Sequence, residues 1–246
     1  MVHLIERTDS YPRELSGGMQ QRCALARALA ANSEVLLLDE PLRALDARLR
    51  IELRSELRSL IRHVGTTTIH VTHDQEEALV VADRIAVLRN GELVEVGPAE
   101  FVYSHPSSPF VANFLGEMNF FEAEAFPAEH GTVRLVAGGT NLLAAARDAL
   151  SGRVLAGIRA EVCGVTPQEW GAGQGFEGVV KRRLFMGRRI SLEIDVPLVG
   201  VLKAKPMTAN ARWAREGEPV FITLPMEHVL LFGVPKGGVA AALEEE

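Results

Sequence analysis

The spacing of apolar and polar positions divides the chain into two textures. In the front part, SEVLLLDEP is a short apolar run ending in acids, the pattern of a strand buried on both faces of a parallel sheet. Between Ala44 and Val64, the residues Leu45, Leu49, Leu53, Leu57, Leu60, Ile61 and Val64 recur at helical spacing with arginines on the opposite face. That periodicity predicts a helix, and Gly65 ends it. TTTIHVTH predicts a second strand, DQEEALVVAD a short helix, and RIAVLRNGELVEVG a hairpin turning on Asn90-Gly91. Strands alternating with helices predict a layered α/β unit. The texture changes after Pro106-Ser107-Ser108-Pro109 and a short helix near Phe110 to Leu115. There TVRLVA, RVLAGIRAEV, FEGVVKRRLFM, RRISLEIDV, EPVFITL and HVLLF are separated by Gly and Pro, which predicts a small all-β barrel or sandwich. The boundary is expected near residues 116 to 121, giving domains 1–117 and 118–237 and an acidic tail 238–246.

Composition narrows the function classes. With 246 residues, 47% of them hydrophobic and 24% charged, the chain can bury a real core in two modest domains. The net charge is −6, and no block of like charge extends beyond Glu244-Glu245-Glu246, so nucleic acid is not an expected partner. Cys23 and Cys163 lie far apart and fit no metal spacing. Both are read as buried small apolar residues in a reducing compartment. No apolar run reaches the ~18 to 20 residues that span a bilayer. If the protein works at a membrane, another chain holds it there.

Candidate chemistry gathers in the front domain. In LSGGMQQRCALARALA, Ser16 is a good helix N-cap, and Gly17 and Gly18 let the backbone approach a phosphate at the positive end of the helix dipole. Read alone, the stretch is equally a capped helix after a glycine turn. VLLLDE ends in Asp39 and Glu40; a strand-end aspartate can hold Mg²⁺ beside a phosphate, and a neighbouring glutamate can orient or deprotonate water. Such carboxylates are also common in solvated loops. Asp46 in LRALD stands at a helix start, where it is either part of a site or a helix cap, and His73 in TIHVTHD stands just past a strand, where it is either a site residue or a surface histidine.

Order and spacing together say more than each motif. LSGG, VLLLDEP, ALD and VTHD resemble, in sequence order, the signature motif, Walker B, D-loop and H-loop of ABC transporter ATP-binding subunits, over residues 8 to 118. The remainder resembles, more loosely, the C-terminal regulatory extension built on OB-like (TOBE) barrels in importers for polyamines, ferric iron, sulfate or maltose. Ile158-Arg159-Ala160-Glu161 stands where that group usually shows I-R-P-E, and FVANFLGEMNFFEAEAF looks like its domain junction, nearest the polyamine type. The resemblance implies a partial P-loop NTPase α/β domain followed by an all-β OB-like barrel. It implies ATP and Mg²⁺ as cofactors, with Ser16 and Gly18 touching the γ-phosphate, Gly17 and Asp46 also among the nucleotide-binding residues, and Asp39 on magnesium through water. Glu40 becomes the catalytic base, Asp46 a residue of the dimer seam and His73 the γ-phosphate sensor. The implied partners are a second ATPase subunit, docked head to tail, and transmembrane permease subunits. The implied location is the cytoplasmic face of the membrane.

Three departures qualify this. Met19 replaces a frequent glutamine that could close a capping box. Arg43 places a long cation where the D-loop usually has serine. A P-loop needs G-x-x-x-x-G-K-[ST], whereas Lys181, Lys203, Lys205 and Lys236 follow Val180, Leu202, Ala204 and Pro235, so the sequence holds no Gly-Lys pair. On the resemblance, the signature of one subunit closes over ATP on its neighbour's P-loop, and the chain is expected to be an N-terminally truncated ATPase without autonomous activity. Gly173 to Gly178 matches G-x-G-x-x-G but lacks the strand-before, helix-after context, so a flexible loop is expected there. The rival reading is a solute-sensing module, in which residues 121 to 237 bind and the front half only docks.

Overall fold

The computed structural model describes residues 4–31, 33–129, 131–145, 150–168, 171, 173–235 and 243. The expected acidic tail 238–246 lies, apart from position 243, outside the described residues. The chain forms two compact units, Met1–Ser104 and His105–Glu246.

In the first unit, helix α1 (Gly17–Ala30) follows two 3-10 turns. Strand β1 (Val35–Asp39) then pairs in parallel with β2 (Thr67–Val71), with Leu37 opposite Ile69 and Asp39 opposite Val71. Helix α2 (Ala47–Val64) crosses between them, as a parallel pair requires. Leu25 of α1, Leu36 and Leu38 of β1, Leu42 and Leu45 of the following loop, and Leu53 and Leu57 of α2 make one buried cluster. The expectation that β1 is buried on both faces is overturned. Its pattern alternates, with Leu36 and Leu38 inside while Val35 and Leu37 are 52% and 71% exposed, because none of the described residues covers the second face. A run of apolar residues therefore marks burial on only one side here. The unit closes with α3 (Gln75–Val81), the hairpin β3 (Arg84–Arg89) and β4 (Glu92–Pro98), and α4 (Ala99–Ser104), which the pattern reading did not anticipate. Asn90 (φ 52°) and Gly91 (φ 77°) both take the left-handed backbone that a tight hairpin turn demands.

The second unit is all-β after a single helical turn and a half, α5 (Pro109–Phe114). It contains β5 (Met118–Pro127), β6 (Thr132–Ala137), β7 (Thr140–Ala145), β8 (Gly152–Arg159), β9 (Gly164–Pro167), β10 (Gly175–Met186), β11 (Arg189–Val196), β12 (Gly200–Ala204), β13 (Pro219–Thr223) and β14 (Leu230–Gly233). These form two five-stranded sheets, ordered β14-β8-β5-β6-β7 and β12-β11-β10-β13-β9. The inner faces of both sheets share one core, from Phe121, Leu135 and Ile158 on one side to Val180, Ile194 and Ile222 on the other. The hydrogen-bond ladders are thus two open sheets facing each other, the sandwich form of the β expectation. Asn119 joins them: its Nδ2 donates to the Lys203 carbonyl at 2.8 Å and its Oδ1 accepts from the Lys203 N–H at 2.6 Å. A side-chain amide thereby substitutes for a missing rung of backbone pairing.

The division at Ser104 falls before the change of texture because α5 packs with the sheets. Ala112 belongs to a cluster with Met118, Leu155, Leu230 and Phe232, and Arg159, itself buried, donates to the Ala112 carbonyl at 3.1 Å. Two smaller expectations also change. Cys23 is exposed on α1, whereas Cys163 is buried and its thiol is pushed up to about 12 by loss of solvent. The Gly173 to Gly178 stretch is no flexible loop: from Gly175 it is strand β10, and a Cβ on Gly178 would lie 2.7 Å from the Asp195 carbonyl oxygen. Gly175 and Gly178 serve close strand packing, whereas Gly173, with φ 85° and nothing within 4 Å of a Cβ, serves the turn before the strand.

Candidate functional site

Four short segments of the first unit carry the candidate residues. Ser16 caps α1, its Oγ accepting from the Met19 N–H at 3.3 Å. The amides of Gly17 and Gly18 remain as first-turn donors that no helical carbonyl takes. Methionine at position 19 leaves no side chain to complete a reciprocal cap, but Gln20 braces the entry loop instead, donating to the carbonyls of Pro12 at 2.8 Å and Leu15 at 3.2 Å. Gly18 is tight for a structural reason: a Cβ there would stand 2.9 Å from Leu45 Cδ2 and 3.4 Å from the Ala44 oxygen. The signature turn thus rests on the loop that follows β1.

That loop begins with the acids. Asp39 ends β1 and is exposed, and Glu40 follows with a left-handed backbone (φ 43°), its N–H bonded to the Val71 carbonyl of β2 at 2.9 Å. The Glu40 carboxylate receives Arg43, whose Nη1 lies 3.0 Å from Oε1 and 2.9 Å from Oε2. His73 approaches from the end of β2, with Nε2 3.5 Å from Glu40 Oε1. Glu40, Arg43 and His73 therefore form one cluster at the strand ends. Asp46 caps α2, its Oδ1 accepting from Leu49 N–H at 2.9 Å, which is the helix-cap reading of that residue.

Behind the cluster lies a charged lattice built on arginines that helical spacing places opposite the apolar stripe of α2. Arg54 is buried, with Nη2 2.5 Å from Asp74 Oδ2 and Nη1 2.9 Å from Glu76 Oε2. Arg50 donates from Nη2 to the Arg43 and Leu45 carbonyls at 3.3 and 3.1 Å and brings Nη1 to 3.6 Å from Asp74 Oδ2. Burial pushes the Asp74 carboxyl up, but the Glu77 backbone N–H and the Arg54 and Arg50 guanidiniums outweigh it and hold the group below its ordinary value. Next to this, His70 Nε2 and Glu77 Oε1 meet at 2.5 Å in the interior. A signal for part of this lattice was present: Arg50 and Arg54 sit one helical turn apart, and Asp74 directly follows His73. Glu40, Arg43, Arg50, Thr72, His73 and Asp74, with the start of α3, line a cleft of about 590 Å³.

The cleft can handle a proton. It pairs a carboxylate with a histidine at near hydrogen-bond distance, among the guanidinium groups of Arg43 and Arg50 and the carboxylates of Asp74, Glu76 and Glu77. For a divalent metal, the described residues hold no cluster of three or more His, Cys, Asp or Glu ligands. Asp39 offers a single exposed carboxylate, which fits a magnesium ion held chiefly by water and phosphate oxygens.

By sequence the chain belongs to the ABC transporter family, whose profile matches residues 1–43. Among its relatives, the Fe(3+) ions import ATP-binding protein FbpC of Brucella abortus is 44% identical over 184 residues, 75% of this chain and 51% of that protein. The spermidine/putrescine import ATP-binding protein PotA 1 of Pseudomonas aeruginosa is 42% identical over 222 residues, covering 89% and 59%. The sulfate/thiosulfate import ATP-binding protein CysA of Thermosynechococcus vestitus is 52% identical over 132 residues, covering 54% and 39%. The chain spans about half the length of the curated relatives it matches. The solved structure of the cytoplasmic molybdate-binding protein ModG aligns with 48% of this chain and 96% of its own at 17% identity and a TM-score of 0.42, a likeness too slight to carry argument.

Proposed function

We propose that the chain provides the signature, Walker B, D-loop and H-loop parts of an ABC importer's ATP-binding subunit, followed in sequence by an OB-like regulatory unit. The observation that carries this reading is the meeting of Glu40, Arg43 and His73 at the ends of two parallel strands, beside Asp39. In this reading Glu40 takes a proton from the attacking water, His73 contacts the γ-phosphate, and Asp39 is the carboxylate toward magnesium. Ser16, Gly17 and Gly18 present a capped helix start to the phosphates of a nucleotide on a second ATPase subunit. Asp46 lies at the seam with that subunit. Residues 1–246 hold no Gly-Lys pair, so no phosphate-gripping loop of the G-x-x-x-x-G-K-[ST] form is among them. Permease subunits are the membrane partners in this reading, as the import ATP-binding names of its relatives suggest; among the described residues no helix is long and apolar enough to cross a membrane.

The test mixes the full chain with an intact homologous subunit whose own signature serine is disabled. Alone, the chain should neither bind nor hydrolyse Mg-ATP measurably, because the missing cradle and lysine supply most of the phosphate grip. In the mixture it should restore part of the turnover through Ser16. Equal rates with the parent chain and with Ser16→Arg would end the donor role, and hydrolysis by the chain alone would overturn the division of labour itself.

A further inference from the structure

We infer that Gln21 is the positioning residue that ties the signature end of α1 to the backbone of Glu40. Gln21 stands one turn into α1, and its amide spans the loop after β1. Nε2 donates to the Glu40 carbonyl at 2.7 Å, and Oε1 accepts from the Ala44 N–H at 3.0 Å. One side chain thus satisfies both ends of the segment Glu40–Ala44, much as a neighbouring strand would. The segment needs such a hold. Glu40 occupies a left-handed backbone conformation that a non-glycine residue keeps only when its surroundings impose it. From inside the loop, the Glu40 carbonyl also accepts from Arg43 N–H at 3.2 Å. From outside, Arg50 takes the Arg43 and Leu45 carbonyls.

The same helix carries Ser16 and Gly18 at its start, and Gly18 touches Leu45 across the loop. A displacement of the signature turn is therefore passed through Gln21 to the main chain of Glu40. In the proposed function those two ends serve different nucleotides, so Gln21 links the half-site offered to the neighbour with the half-site around Glu40. That functional consequence rests on the proposed function, whereas the bonding itself does not.

The experiment follows the Glu40 carbonyl carbon and the Ala44 amide by NMR in the full chain, in Gln21→Ala and in Gln21→Glu. Gln21→Ala should shift both signals, moving the Glu40 carbonyl upfield and speeding Ala44 amide exchange about tenfold, as the loss of one net hydrogen bond predicts. Gln21→Glu separates the two bonds and perturbs the fold least. Its carboxylate still accepts from Ala44 but cannot donate to Glu40, so only the carbonyl should move at neutral pH. As the new carboxyl protonates, its O–H becomes a donor and the carbonyl should converge on that of the parent at the same pH. Unchanged Glu40 and Ala44 signals in Gln21→Ala, or no convergence in Gln21→Glu, would overturn the positioning role. In the mixed-subunit assay Gln21→Ala should lower the restored turnover about tenfold. If the NMR signals move while that turnover stays at the parent's level, the link between half-sites is wrong. If the parent restores no turnover, the proposed function fails and the NMR result alone decides the bonding.

Discussion

Arg54 shows how a single side chain can belong to the opposite class from its sequence surroundings. It sits among the arginines that helical periodicity assigns to the outer face of α2, yet it is buried and bonded to Asp74 and Glu76. Its guanidinium loses solvent, and the Glu76 and Asp74 carboxylates more than compensate, so it is held charged more firmly than an ordinary arginine. Removing one partner of such a pair leaves the other poorly satisfied. Arg54→Met should destabilise the first unit by about 2 kcal/mol at neutral pH, less than a fully buried pair because Glu76 remains in solvent. The pH dependence follows from the lowered carboxyl of Asp74. A depressed acid stabilises the fold fully above its ordinary value of 3.8 and loses that contribution as pH falls through its lower folded value. The gap between Arg54→Met and the parent in urea unfolding should therefore be widest at neutral pH and shrink in strong acid. A gap independent of pH would mean that Arg54 acts through packing alone.

At the scale of elements, much was legible wherever a local rule has a local cause. The apolar spacing from Leu45 to Val64 gave α2, although Leu45 is buried in the loop before the helix rather than on it. Asn90-Gly91 gave the β3–β4 turn because few other residues accept that backbone. Glu40 and His73 were each legible as residues just past a strand, but not that the two strands pair and bring them together, while Arg43 entered only as an oddity and Gln21 not at all. Long polar side chains reach partners that spacing does not encode. The one-sided burial of β1 was equally hidden, since a strand's sequence does not report what packs on it. Gly65 is an element-scale rule that can be measured. It ends α2 with φ 70° and its N–H bonded to the Ile61 carbonyl at 3.0 Å, and a Cβ there would meet nothing within 4 Å. Gly65→Ala should thus cost only the left-handed backbone penalty, about 1 kcal/mol, with no clash. A loss several times larger in thermal unfolding would show that the turn bears on more than the helix end.

For the whole molecule, the two units differ in how completely they cover their apolar surface. In the second unit both sheets turn their inner faces to one core, where Leu135, Ile158, Ile190, Ile194 and Ile222 are fully buried. In the first, Val35, Leu37, Ile69 and Val71 form a contiguous face of the β1–β2 pair that is at least 50% exposed at every position, and a pair of strands leaves ladder groups unpaired at its edges. Such a surface favours association with any chain that covers it. The purified full chain should therefore sediment as oligomers whose size grows with concentration. Leu37→Thr combined with Ile69→Thr keeps strand-compatible side chains while removing most of the apolar contact, and should shift the distribution toward monomer. Residues 105–235 alone, lacking that face, should give a cooperative thermal transition. If the double variant associates as strongly as the parent, the contact lies elsewhere, and the exposed Leu184, Phe185 and Met186 at the tip of β10 become the next surface to alter.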